Sequence, residues 1–255
     1  MPTVQDIYLF LAAKAPVEKK LSFDNVGHLV GRSDREVRRI MTALDITEDV
    51  IGEARREKAD LIVSHHPLFF ELKSVTDTTW IGSRALTLAE NRIAAICMHT
   101  NLDAARGGVN DALMKALGAT VTGELDPDSG IGRVGELSRS VTIDNFLPFV
   151  KNALSCNGLR YHDAGRPVRT LAVCGGSGGA EIALAHGAGC DTYVTADIKY
   201  DQFLEAKHLG INLIDADHFC TENVVVPVLR DWLSEAFPSV CVMTSQTHGP
   251  TARFF

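Results

Sequence analysis

An α/β fold is predicted by three observations. Short apolar runs alternate with helical patterns along most of the 255 residues. Several of these runs stop abruptly at His, Asn or Asp, as buried strands do where they reach a functional edge. The intervening helical patterns are about ten residues long, which implies βαβ units and largely parallel, mixed sheets. Two such blocks follow one another without a short-period repeat, and the length suits one large or two ordinary domains.

Residues 4–14 read as an amphipathic helix and residues 37–46 as a strand. Thr47 can cap the next helix, which runs to 58 and carries Glu48 and Asp49 in its first turn, where the helix dipole favours acids. A strand over 61–64, a helix over 80–91 and a strand over 93–98 come next. A helix over 108–117 is closed by Gly118, a suitable C-terminal cap. The segment 120–139 is rich in Gly, Asp, Pro and Ser and reads as the linker. It places a first α/β lobe at 1–122 and a second at 123–255, with room for the C-terminal segment to pack back on the first. In the second lobe, strands are expected at 141–143, 169–173, 192–195, 211–214 and 240–243. Helices are expected at 144–155, 178–186, 200–209 and 221–236.

Hydrophobic content of 45% supplies a real core, and charged content of 22% is ordinary for a globular chain. A net charge of −7 argues against a broad nucleic-acid surface, while leaving room for a local basic pocket. No apolar run approaches the roughly 18 residues that span a bilayer. The N-terminus lacks the basic start and apolar core of a signal peptide. Six cysteines (97, 156, 174, 190, 220, 241) contain no C-x-x-C pair and read as buried thiols rather than a disulfide framework. The expected location is the cytoplasm.

The chemistry gathers at strand ends. The run Asp60-Leu61-Ile62-Val63-Ser64 delivers His65 and His66. On an extended backbone, neighbouring side chains point opposite ways, so the two imidazoles are expected to serve different ions rather than share one. The 93–98 strand ends at His99, Asn101 and Asp103, and the 211–214 strand at Asp215, Asp217 and His218. Glu222 lies four residues beyond His218, on the same face if a helix starts there. Three histidines and two carboxylates exceed the four ligands of one zinc and suit two metals with one bridging carboxylate. Imidazole and carboxylate without thiolate suit zinc, iron or manganese. Taken singly, each residue has a plainer reading: a structural histidine, a turn aspartate, a surface His–Glu pair.

The ordered motifs Asp24-Asn25-Val26-Gly27, Ser64-His65-His66-Pro67-Leu68-Phe69-Phe70, His99-Thr100-Asn101-Leu102-Asp103 and His218-Phe219-Cys220-Thr221-Glu222 resemble the Nif-three-like family. Its members are often called GTP cyclohydrolase type 2 homologues. The resemblance covers about residues 5–250. It implies two α/β lobes related by approximate symmetry, two divalent metal ions in the cleft between them, and a ring-shaped homohexamer, a trimer of dimers. By motif, His65, His66, Asp103, His218 and Glu222 match the metal ligands, with Glu222 bridging. The activity expected is hydrolysis of a small, nucleotide-like substrate by a metal-bridging hydroxide, with Glu222 as a catalytic residue and His99, read from the residues and not from the resemblance, as a second catalytic candidate. A non-catalytic metal-delivery or regulatory protein is the alternative. Two departures stand out. Asp217 occupies a usual glycine, where it could act behind the metal or add a ligand, and Asp201 replaces a usual histidine in Asp197-Ile198-Lys199-Tyr200-Asp201.

Other motifs compete. Cys174-Gly175-Gly176-Ser177-Gly178-Gly179 could cradle phosphate in a nucleotide-binding module, but Glu181 breaks the dinucleotide fingerprint and a tight turn explains it as well. Ser177 fits G-x-S-x-G without a committed triad. His99 reads as a proton shuttle, a partner to a metal ligand, or a buried hydrogen-bonded histidine. Lys199 and Tyr200 read as substrate contacts or a surface helix start. His162 and His248 have no evident partner.

Overall fold

The computed structural model describes residues 1–254. The chain forms two compact units: Met1–Arg106 with Val225–Gly249, and Gly107–Val224 with the tail from residue 250. The first unit opens with α1 (Val4–Lys14), β1 (Gly27–Val30), β2 (Arg39–Ala43), α2 (Glu48–Arg56), β3 (Leu61–Ser64), α3 (Trp80–Glu90), β4 (Ala94–Cys97) and α4 (Thr100–Ala104). The second holds α5 (Val109–Ala116), β5 (Ala119–Glu124), β6 (Arg133–Val141), α6 (Ile143–Ala153), β7 (Arg160–His162), β8 (Val168–Ser177), α7 (Ile182–Gly187), β9 (Thr192–Ala196), α8 (Tyr200–Leu209), β10 (Asn212–Asp215) and α9 (His218–Glu222). The chain then returns to the first unit as α10 (Val225–Ala236) and β11 (Cys241–Thr244).

In the first unit the strand order is β1-β4-β3-β2-β11. β4, β3, β2 and β11 are parallel, and β1 joins the edge antiparallel. Every residue of β3 and β4 is buried, as expected of strands covered on both faces. Ile62, Met41 and Ala95 pack against Val50 and Ile51 of α2 and Leu88 of α3. The helices start where hydroxyls cap them: Thr47 accepts from Val50 N at 3.2 Å and Thr79 from Gly82 N at 3.1 Å. Parallel strands put their carboxyl ends on one edge, and there β4, β3, β2 and β11 hand over to the segments that carry His99, His66, Asp45 and His248.

The second sheet has the order β5-β6-β8-β9-β10-β7. Only β8, β9 and β10 run parallel, so antiparallel pairing is heavier here than the alternation suggested. Phe146 and Val150 of α6 pack on Leu171 and Val194 on one side. Ile182, Ala206 and Leu213 gather around Tyr193 on the other.

The expected linker at 120–139 is instead mostly the β5–β6 hairpin, and the units divide at 106/107. Its composition misleads because β5 is a sheet edge whose last five residues are all exposed. Pairing, and not apolar burial, makes it a strand. Buried Arg133 anchors its loop end, bonding Asp111 at 3.0 Å and donating to the carbonyls of Gly130 and Gly132 at 2.8 Å each. The helix expected over 221–236 is two helices, α9 and α10, which belong to different units. All six cysteines are free thiols; five are buried and Cys241 is exposed. No helix among the described residues is long and apolar enough to cross a membrane.

Candidate metal centre

In the first unit, β3 ends at Ser64, and the chain bends through the two histidines. Ser64 Oγ donates to the His66 carbonyl at 2.8 Å, and His66 N donates to Leu44 O at 2.9 Å. The alternation rule therefore no longer holds at 65–66, and the rings do not diverge. Their centroids are 5.0 Å apart, and His65, His66 and His99 each offer a donor atom within 4.8 Å of the others. The expectation that the pair faces opposite ways is corrected: both look onto one space.

Each ring is held from behind. His65, fully buried, donates from Nδ1 to the Met98 carbonyl at 2.9 Å. A carbonyl only accepts, so Nδ1 carries a hydrogen and Nε2 is the nitrogen left to serve as a ligand. His66 Nδ1 donates to Asp45 Oδ1 at 2.7 Å, and His99 Nδ1 to Asp24 Oδ1 at 2.9 Å. Buried Asp103, on α4, sets Oδ1 3.6 Å from His65 Nε2. Burial would push the Asp24 carboxyl up, but hydrogen bonds from His99 and Thr100 outweigh it and hold it at about 2. Burial likewise opposes ionisation of Asp45, and the bonds from His248 and His66 hold it well below the usual carboxylate range. The Asp24-Asn25 motif is thus a scaffold. Asp24 Oδ2 accepts from Thr100 N at 3.0 Å, and Asn25 Nδ2 donates to Phe69 O at 2.8 Å, fastening the loop after His66.

In the second unit, α9 forms as the i, i+4 spacing requires. His218 Nε2 lies 3.1 Å from Glu222 Oε2, and His218 Nδ1 donates to Asp197 Oδ2 at 2.7 Å. Burial pulls the His218 ring down, but Glu222 and then Asp197 outweigh it and push its pKa up to about 9. The structure gives Asp217 a local role. It caps α9, accepting from Cys220 N at 3.1 Å, and holds φ +67°, a conformation glycine adopts freely. Asp201 is exposed in the first turn of α8, and Tyr200 beside it is 79% exposed.

Three amides of the glycine run are already bonded within the protein. β8 continues through it to Ser177, which is exposed. Its amides are spent on protein oxygens: Gly175 N on Asn110 Oδ1 at 2.9 Å, Gly176 N on Thr221 Oγ1 at 3.0 Å and Gly178 N on Thr195 Oγ1 at 3.0 Å. The expected tight turn is instead the irregular end of β8, whose register shifts between Val173 and Ser177, and its glycine has a purpose the sequence hides. A Cβ on Gly176 would lie 2.1 Å from Glu222 Oε1 and 3.3 Å from His218 Cε1. Glycine is present because the Glu222 carboxylate occupies that space.

Sequence reasoning missed Asp45, His248, Asp197 and Gly176 as parts of the site. Asp24, Asn25 and Asp197 stand within recognisable motifs; nothing in the sequence marks Asp45 or His248. The donors that are in place, imidazole nitrogens and carboxylate oxygens with each ring fixed through Nδ1, fit divalent zinc, iron or manganese.

The sequence and the fold are both similar to those of known proteins. The chain matches the Duf34/NIF3 (NGG1p interacting factor 3) family over residues 2–250 and belongs to that family. It is 35% identical over 243 residues to a Clostridium perfringens protein called GTP cyclohydrolase 1 type 2 homolog, covering 92% of this chain and 93% of the relative. A Streptomyces coelicolor protein of the same name is 37% identical over 234 residues, covering 87% of this chain and 82% of the relative. Among solved structures, the Bacillus cereus protein related to NIF3 matches with a TM-score of 0.94 at 24% identity, covering 100% of this chain and 99% of that one. A Staphylococcus aureus protein matches with a TM-score of 0.90 at 26% identity, with the same coverage.

Proposed function

We propose that His65, His66 and Asp103 of the first unit and His218 and Glu222 of the second ligate one pair of divalent metal ions. On this reading the protein is a metal-dependent hydrolase acting on a small, nucleotide-like substrate. The observation that carries it is the repeated chemistry of the two halves. In each unit a histidine is fixed through Nδ1 and sets Nε2 against a carboxylate oxygen, Asp103 at 3.6 Å and Glu222 at 3.1 Å. Positioned imidazoles with a carbonyl or carboxylate behind them are the arrangement metal-ligating histidines adopt.

When bound, two such cations polarise the electrophilic centre and make water acidic enough to attack near neutral pH. The chain's own residues supply the rest. His65, His66, Asp103, His218 and Glu222 would hold the ions through imidazole nitrogens and carboxylate oxygens. Asp24 holds the His99 ring beside His65 and His66, with centroids at 5.1 and 5.5 Å, where it can pass a proton to or from substrate. The relatives' name supports a nucleotide as substrate class and ring opening at an electrophilic carbon. The homohexamer implied by the family resemblance belongs to the same proposal, and light scattering on the purified chain tests it.

The hydrolase is tested with purified protein on GTP and a phosphoester panel. Turnover is expected to vanish with a chelator and with Glu222→Ala; turnover that survives both overturns the mechanism. Rapid metal transfer to an acceptor without turnover would replace the hydrolase by a delivery protein.

A further inference from the structure

His66 is held by more than its immediate partner. Asp45 accepts from His66 Nδ1 through Oδ1 and from His248 Nε2 through Oδ2, both at 2.7 Å. The three residues come directly after three adjacent parallel strands, β3, β2 and β11. They form one row along the carboxyl edge of the first sheet, although His248 lies 182 positions after His66 in the chain. The last of them is delivered by a fastened segment. Buried Glu53 of α2 accepts from Gln246 N at 2.9 Å, Thr247 Oγ1 at 2.9 Å and Ser245 Oγ at 2.5 Å. Ser245 N also donates to Thr42 O at 2.9 Å. His248 is thereby brought to Asp45 in a set orientation, with its side chain only 11% exposed.

A carboxylate tied at one oxygen can still swing and carry its histidine with it. Tied at both oxygens it cannot, and the ring it holds keeps one tautomer and one direction. His65 has no such need, because a backbone carbonyl fixes it. The support is therefore unequal across the two adjacent histidines.

We infer that Asp45 and His248 are positioning residues for His66 and that they set the affinity of one metal position without setting the other. This rests on the metal-centre reading above. It assigns a role to the C-terminal segment 245–249, which the proposed chemistry does not otherwise use.

The test uses the full chain, stripped of metal and titrated with Zn(II) and, separately, Co(II). Metal content per chain, the two stepwise affinities and the cobalt absorption spectrum are read. The parent chain is expected to take two ions. Asp45→Ala should weaken one step about 10- to 100-fold and His248→Ala about 10-fold, with the other step unchanged. His248→Gln, whose amide can still donate to Asp45, should restore most of the loss. Thermal melts on each variant separate this from a folding defect. Two steps of parent affinity in His248→Ala overturn the inference. So does an equal loss of both steps, or a loss that His248→Gln does not recover. A parent chain that takes no metal overturns the metal-centre reading itself, and the inference with it.

Discussion

Gly176→Ala separates the cradle at Glu222 from ordinary glycine strain. Gly176 sits at φ +68°, where an alanine costs about 1–2 kcal/mol. The added Cβ would also stand 2.1 Å from Glu222 Oε1. Carbon and oxygen in ordinary contact need well over 3 Å, so the carboxylate must retreat by about 1 Å or more. Metal–ligand distances hold within about 0.2 Å, so a carboxylate moved that far no longer serves as a ligand. Gly165 is the control. It has φ +72°, and a Cβ there meets nothing within 4 Å. Gly165→Ala should lower the melting midpoint by about 2–8 °C and leave metal content untouched. Gly176→Ala should lose at least as much stability and, in addition, metal. Melting followed by circular dichroism and metal analysis on the same samples read both. Full metal content in Gly176→Ala, or variants that behave alike, would refute the cradle.

Asp24 is ionised at about 2 in the folded chain against an ordinary 3.8, so its carboxylate contributes roughly 2 kcal/mol that is fully present above pH 4 and lost as pH falls towards 2. Asp24→Asn should flatten that part of an acid-unfolding curve; an unchanged curve contradicts the assignment. Arg133→Met removes the guanidinium that binds Asp111 and two carbonyls, and should cost about 3 kcal/mol in urea unfolding, with a loss under 1 kcal/mol counting against it. At Asp217, glycine removes the cap but relieves the backbone, whereas alanine removes the cap and keeps the strain. Asp217→Gly should therefore be about 1 kcal/mol more stable than Asp217→Ala in the same assay, and the reverse order would sink the capping account.

Much of the site is readable in the sequence because parallel strands carry a strong signal. Leu61–Ser64 and Ala94–Cys97 are wholly apolar runs or nearly so, and the residues just beyond them lie at the functional edge by construction. The i, i+4 spacing of His218 and Glu222 needs only a helix start, which Asp217 provides. Errors arise where a rule runs past its element. Alternation fails at His65 and His66 because the strand has already ended at Ser64. Polarity in 120–139 suggests a linker, although an edge hairpin can be polar throughout. The Asp45–His248 pair is invisible because it depends on sheet order, with β11 placed beside β2 from the far end of the chain. The glycine run is ambiguous because close approach and left-handed backbone leave the same mark in a sequence. Only the carboxylate opposite tells them apart.

The central claim is a pair of divalent ions held by residues of both units. Elemental analysis of the chain purified without chelator, joined to anomalous scattering from its crystals, tests it most directly. The account predicts two ions per chain about 3.5–4 Å apart, contacted by His65, His66, Asp103, His218 and Glu222. A single ion, or two ions held elsewhere, would contradict it.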